Sequence, residues 1–307
     1  MSNGDLNNDN TTNIRDLNLL LQNWTENSYQ ELQNIIQNWN VTSEPSSNLH
    51  FSNNNFFKYH ISNTTNFDLS PYLQTFQDAF DKWDSVVTSN NIQIEVTVSF
   101  DEMDEDILGG AYIEEYYTGY SEFGSVFPKK GVFILNTMYL NMLHTMVYSN
   151  GKSNLYYTVL HELGHILGIG PTWVNDNITN KPIGTYQING EMKKYYNGAH
   201  ALEQYKSYFP DISNNLVGIP IEDDGGGGTE SVHPEEGYIH GHSTNDREIN
   251  GVYHPGLRHE LMTGWMESSS YPIPMSRITI GFLKDIGYNV DYSEAEFYDP
   301  TNPFSTS

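Results

Sequence analysis

The sequence predicts an α+β protein, and three textures in the chain carry that expectation. Ile92, Ile94, Val96 and Val98 alternate strictly with Gln93, Glu95 and Thr97, the period of a half-buried strand. Leu73, Phe76, Phe80 and Trp83 recur at helical spacing, as do Tyr156, Leu160, Leu163 and Leu167. Strands and helices therefore mix in the first half, whereas Thr172 to Thr263 is rich in Gly and Asn and weakly periodic. A chain of 307 residues suits one large domain or two modest ones and buries a real core.

Residues 1–45 form the first expected unit. Asp5, Asn7, Asp9, Thr11, Asn13 and Asp16 fall at positions 1, 3, 5, 7, 9 and 12 of one loop, the positions from which a calcium loop presents oxygen ligands, Thr11 through its carbonyl. Leu17, Leu19, Leu20, Leu21 and Trp24 then read as a short amphipathic helix. This segment resembles one half of a dockerin repeat, which implies bound Ca²⁺ and a cohesin-like partner. Tyr29 to Trp39 repeats the helix without a second ligand loop before it.

Residues 46–307 form the second expected unit, entered through a Ser, Pro and Asn-rich joint from Thr42 to Asn55. Ser70-Pro71 reads as an N-cap with proline in the first turn, predicting a helix of about eighteen residues. The alternating strand from Ile92 comes next, and Gly131 to Leu135 reads as a more buried one. A helix is expected from Ser153, ending near Gly168, Gly170 and Pro171. The tetraglycine Gly225 to Gly228 lies inside an aromatic-rich domain, so it is expected to form tight turns rather than a linker. A last helix is expected from Ser276 to about Ile286.

Composition narrows the functional classes. Fourteen Lys and Arg against thirty-nine Asp and Glu give a formal charge of −25, so nucleic acid is an unfavourable partner. The chain has no cysteine, which excludes disulfides, a thiol nucleophile and Cys-ligated metals but leaves a His and carboxylate metal site open. No run of eighteen apolar residues marks a transmembrane segment, and Met1 to Asp5 lacks the pattern of a signal peptide. A surface built largely from uncharged polar groups is ordinary for a secreted or surface protein.

The chemistry-bearing motif is His161-Glu162-Leu163-Gly164-His165. One helical turn separates the histidines, so both imidazoles project from one face and can bind one zinc ion, with Glu162 beside them as a general base. A catalytic zinc needs a third protein ligand and an open position for water. Gly168 permits the sharp turn of the extended metzincin motif, yet position 171 is proline where that motif has its third histidine. The downstream candidates are His200, His233, His240, His242, His254 and His259.

At this point the sequence resembles the leishmanolysin-like zinc peptidases, metzincins with a long insertion before the third histidine. The resemblance covers about residues 50 to 295. It rests on Leu108-Gly109-Gly110-Ala111, Leu135-Asn136-Thr137, the run from His161 to Trp173 and Tyr196-Asn197-Gly198-Ala199 leading to Tyr205. It continues through Ile219-Pro220-Ile221-Glu222, Gly228-Thr229, Glu260-Leu261-Met262-Thr263-Gly264, Ser276-Arg277-Ile278-Thr279 and Asp285-Ile286-Gly287-Tyr288. In that family the third ligand follows the Gly-Thr pair by four residues, which implies His233, with His254 as the alternative because it stands just upstream of Glu260.

The resemblance further implies that Met262 is the Met-turn residue beneath the zinc histidines, and that a mixed sheet with helices precedes an irregular C-terminal subdomain, the cleft lying between them. It implies a zinc endopeptidase outside the cell or on its surface, with Glu162 as base and extended substrate added to a sheet edge within Gly109 to Tyr117. Three other readings stand beside it: a gluzincin with Glu191 as third ligand, a non-catalytic, calcium-dependent scaffold or adhesion module with a structural zinc, and an amidase or other hydrolase acting on a non-peptide substrate.

Overall fold

The computed structural model describes residues 49–62, 68–88, 92–103, 107–117, 127–223, 226, 228–237, 248–266 and 271–303. The calcium-loop residues Asp5 to Asp16 and the histidines His240 and His242 lie outside them. His50–Ser307 form one compact unit.

Five strands form the main sheet: β1 (Leu49–Phe51), β2 (Phe57–Ile61), β3 (Ile94–Asp101), β4 (Gly109–Tyr116) and β5 (Pro128–Asn136), in the spatial order β1-β2-β3-β5-β4. β2, β3 and β5 run parallel, and β4 pairs antiparallel with β5 to close one edge. The sheet is thus mixed, and helices pack with it, as an α+β chain requires. In β3 the alternation seen in the sequence becomes alternation of burial: Ile94, Val96, Val98 and Phe100 are buried while Glu95, Thr97 and Ser99 are half-exposed. Burying each such side chain contributes about 1.5–3 kcal/mol.

Helix α1 (Leu73–Val86) buries Phe76, Phe80 and Trp83, but it begins later than expected and has 14 residues. Ser70 does not cap it; its hydroxyl donates to Asp68 Oδ1 at 2.6 Å, so Ser70 to Tyr72 form a turn instead. A short helix α2 (Leu140–Thr145) leads to α3 (Asn154–Ile166). Ser153 does cap α3, its side chain accepting from Tyr156 N at 3.2 Å.

Where the sequence suggested a single apolar stripe, α3 is buried all round, only His161 being partly exposed. It lies between α1 and the β4–β5 edge, where a Cβ on Gly131 would meet Ile166 Cγ2 at 2.9 Å. Trp83 of α1 donates its indole N–H to the Leu160 carbonyl at 2.8 Å, one residue before His161.

The second half holds more regular structure than its composition suggests. After the single turn α4 (Pro171–Val174), strands β6 (Ile183–Ile188), β7 (Glu191–Tyr196) and β8 (Ile219–Pro220) make a three-stranded antiparallel sheet, with helix α5 (Ala199–Tyr208) between β7 and β8. A small hairpin, β9 (Glu248–Ile249) with β10 (Val252–Tyr253), precedes α6 (Arg277–Ile286). Ser276 caps α6 by accepting from Ile278 N at 3.1 Å, and Gly287 ends it in the left-handed region at φ 114°. Asp285 of α6 accepts from His200 N at 2.8 Å and Ala201 N at 2.9 Å, so it caps the start of α5 from across the fold. Gly226 and Gly228 of the tetraglycine both take positive φ, as turns require. Among the described residues no helix is long and apolar enough to cross a membrane.

Candidate metal centre

His161 and His165 project from one face of α3 with their Nε2 atoms 3.0 Å apart. His233, 68 residues beyond His165, joins them: its Nε2 lies 3.0 Å from that of His165 and 3.1 Å from that of His161. The three nitrogens form a nearly equilateral triangle.

His233 reaches this point because its segment is anchored on both sides. Ile221 and Pro234 form an antiparallel bridge, Glu222 N donates to His233 O at 3.0 Å, and Glu235 N donates to Pro220 O at 2.8 Å, extending the β6-β7-β8 sheet. The same segment touches the end of α3. Gly168 (φ 109°) and Gly170 (φ 88°) turn the chain after the helix, and a Cβ on Gly170 would lie 2.1 Å from Val232 O. Only glycine permits both the conformation and that backbone approach.

The hydrogen bonds fix each imidazole's tautomer. Nδ1 of His161 faces Leu261 O at 2.7 Å, Nδ1 of His165 faces Ile169 O at 2.9 Å, and Nδ1 of His233 faces Thr229 O at 2.8 Å. A carbonyl only accepts, so each Nδ1 carries the proton and each Nε2 presents a lone pair. Three lone pairs at 3.0–3.1 Å repel one another unless a cation lies among them. Nitrogen ligands of a tetrahedral zinc stand about 3.3 Å apart for bonds of ~2.0–2.1 Å, close to the separations seen here. The group therefore fits a metal ion, each ligand carrying the outer carbonyl that metal-bound histidines ordinarily have.

Electrostatics agree with neutral ligands. Burial, then the neighbouring His161 charge, pushes His233 down to about 3. Burial and both neighbours hold His165 well below the ordinary histidine value, and burial lowers His161. Glu162 is 7% exposed, and its Oε2 finds no hydrogen-bond partner among the described residues. Burial raises its carboxyl to about 8; a cation held by the adjacent histidines favours the ionised form instead. The edge strand β4 passes beside it, a Cβ on Gly109 falling 3.6 Å from Glu162 Oε1.

Met262 packs against α3 at Gly164. A Cβ on Gly164, the residue before His165, would meet Met262 Sδ at 2.5 Å and its Cε at 2.9 Å. The thioether thus occupies the space that any larger residue at 164 would claim.

No protein-family model and no curated protein matches this chain.

The other candidates sit elsewhere. His254 is fully buried, but its Nε2 accepts from Val217 N at 3.0 Å and its Nδ1 faces Val252 O at 2.8 Å, which spends both nitrogens on the backbone. His259 Nε2 lies 3.2 Å from Tyr271 O, and His200 is exposed at the start of α5. Glu191 is exposed at the start of β7 and pairs with Lys193 at 3.1 Å, so the gluzincin arrangement is not formed. A second, acidic group comprises Glu222, Asp223 and Glu235, with Lys193 Nζ at 2.8 Å from Asp223.

Reasoning on sequence missed the three carbonyls of Leu261, Ile169 and Thr229, which leave no mark in side-chain chemistry. It also missed the packing meaning of Gly164 and the close approach at Gly170. A glycine inside a helix costs about 1 kcal/mol against alanine, so Gly164 was itself a signal that something lies close.

Proposed function

We propose that this chain is a zinc-dependent endopeptidase of the leishmanolysin-like metzincin kind, with His161, His165 and His233 as ligands and Glu162 as general base. The observation that carries the reading is the trio of Nε2 lone pairs at 3.0–3.1 Å, each oriented through its Nδ1 proton, with the unpartnered carboxylate Oε2 of Glu162 next to the first ligand in the chain. Zinc held by these three histidines would supply Lewis acidity toward a scissile carbonyl and activate water for attack.

Glu162 Oε2 would accept the proton of the attacking water and return a proton to the nitrogen of the leaving amine. Its burial excludes competing solvent from the proton it holds. The outer edge of β4, which pairs with no further strand among the described residues, would take an extended substrate as an added strand passing close to Glu162 at Gly109. The net charge of −25 favours substrates with basic residues around the cut.

The test is cleavage of casein by the purified protein with zinc, beside Glu162→Gln and beside wild type stripped with a chelator. Loss of a positioned base lowers the rate by roughly 10²–10⁴-fold, and metal removal abolishes it, with return on adding zinc. Cleavage that survives either treatment overturns the proposal.

A further inference from the structure

We infer that Glu260 is a positioning residue for the metal centre, a single buried carboxylate that sets His161 and Met262 by fastening their shared turn to helix α6. The inference rests on the zinc reading and goes beyond it.

Glu260 is 1% exposed, and its two oxygens take hydrogen bonds from Met262, Ser276 and Thr279. Oε2 accepts from Met262 N at 2.8 Å. Oε1 accepts from Ser276 N at 2.9 Å and from Thr279 Oγ1 at 2.6 Å. Its own carbonyl receives Thr263 Oγ1 at 2.9 Å, and Leu261 N donates to Pro274 O at 3.0 Å. The turn from Glu260 to Thr263 is therefore held to the start of α6 at several points. The carboxylate also lies where a helix N-terminus favours negative charge.

That turn makes two contacts with the metal helix. Leu261 O accepts the Nδ1 proton of His161 at 2.7 Å, which decides both the tautomer and the ring direction of that ligand. Met262 Sδ packs against Gly164, the residue before His165. Glu260 itself touches neither histidine in these contacts, so it acts through the backbone it fixes.

The chemistry requires a carboxylate rather than an amide. The N–H groups of Met262 and Ser276 and the hydroxyls of Thr279 and Ser276 converge on Glu260, and a carboxylate offers acceptors on both oxygens. Glutamine at this place has one acceptor oxygen, and its NH₂ must face either Met262 N–H or the Ser276 and Thr279 donors. One attachment is lost whichever way it turns, and the turn or α6 then shifts.

The experiment measures zinc affinity by competition with a chromophoric chelator, and the d–d spectrum of the cobalt-substituted protein, on the full chain. Glu260→Gln is expected to weaken zinc binding by about 10–100-fold, the range for groups that orient metal ligands, and to alter the cobalt spectrum. Thr279→Val removes one donor and leaves the charge; it is expected to weaken binding several-fold in a folded protein, and it serves should Glu260→Gln not fold. Asp285→Asn disturbs another carboxylate, a half-buried one that caps α5, and it should leave affinity and spectrum unchanged.

Wild-type affinity in both Glu260→Gln and Thr279→Val, or an equal loss in Asp285→Asn, overturns the inference while leaving zinc binding intact. A wild type that binds no zinc overturns the reading on which it rests.

Discussion

Replacing Gly164 by alanine is the sharpest probe of how α3 and the 260–263 turn fit together. In an open helix this change stabilises by about 1 kcal/mol. Here the new Cβ would lie 2.5 Å from Met262 Sδ, 2.9 Å from its Cε and 3.3 Å from Trp83 Cζ2. Met262 and Trp83 are both fully buried, so neither can yield into solvent. Overfilling a packed core costs about 1–3 kcal/mol, so overpacking offsets the propensity gain, and a net loss of about 1 kcal/mol is expected.

A double-mutant cycle isolates the contact. Met262→Ala alone empties a buried site and costs about 2–5 kcal/mol. In the Gly164→Ala background the same truncation also relieves the overlap, and its cost falls by about 1–2 kcal/mol. Urea unfolding of the four proteins in the presence of a chelator measures this without a contribution from metal binding. Effects that add to within about 0.5 kcal/mol would refute direct packing of Met262 beneath Gly164.

The same geometry sets other outcomes. Gly170→Ala places a Cβ 2.1 Å from Val232 O at φ 88°; it should destabilise the fold and weaken zinc binding at His233, whereas Gly226→Ala, with open space around it at φ 77°, should cost only about 1 kcal/mol and leave zinc binding unchanged. Urea midpoints and chelator competition report both. In the metal-free protein His233 titrates at about 3 against 6.5 for an ordinary histidine. Between those values the unfolded chain binds a proton that the folded chain does not, so this stabilisation is present above pH 6.5 and is lost as pH falls through the window. The urea midpoint of wild type should therefore drop more steeply from about pH 7 to 5 than that of His233→Gln; equal slopes would count against a neutral His233. Asp285→Ala removes the acceptor of two α5 amides and should cost about 1–3 kcal/mol in urea unfolding, with zinc content unchanged.

How much of this was legible in the sequence depended on whether the decisive interaction was local. β3 was readable because its two faces differ in burial, and α3 because Ser153 caps it from the adjacent residue. The start of α1 was misplaced because the Ser70 hydroxyl and N–H both donate to Asp68 Oδ1, which holds Ser70 in a local turn instead of capping the helix amides. Helix α5 left no capping signal at Gly198, since its capping acceptor, Asp285, stands 84 residues beyond Ala201. The β6–β7 hairpin carried its signal in Asn189-Gly190, both at positive φ as a two-residue turn requires, although the weak alternation around it hid the strands.

At the site, the helical spacing of His161 and His165 was enough for two ligands. His233 came from a family spacing, and its physical reason, the bridge between Ile221 and Pro234, is a long-range backbone contact. The Glu260 clamp and the three orienting carbonyls are likewise properties of the folded chain alone.

The measurement that bears most directly on a centre built from His161, His165 and His233 is the zinc content of purified protein after dialysis against trace zinc, for wild type, His233→Ala and His254→Ala. Ligation by those three predicts one zinc per wild-type chain, one in His254→Ala and a loss of at least about 10²-fold in affinity in His233→Ala, because only two of three ligands remain. Zinc retained at wild-type affinity in His233→Ala, or lost from His254→Ala in a protein that is still folded, would contradict it.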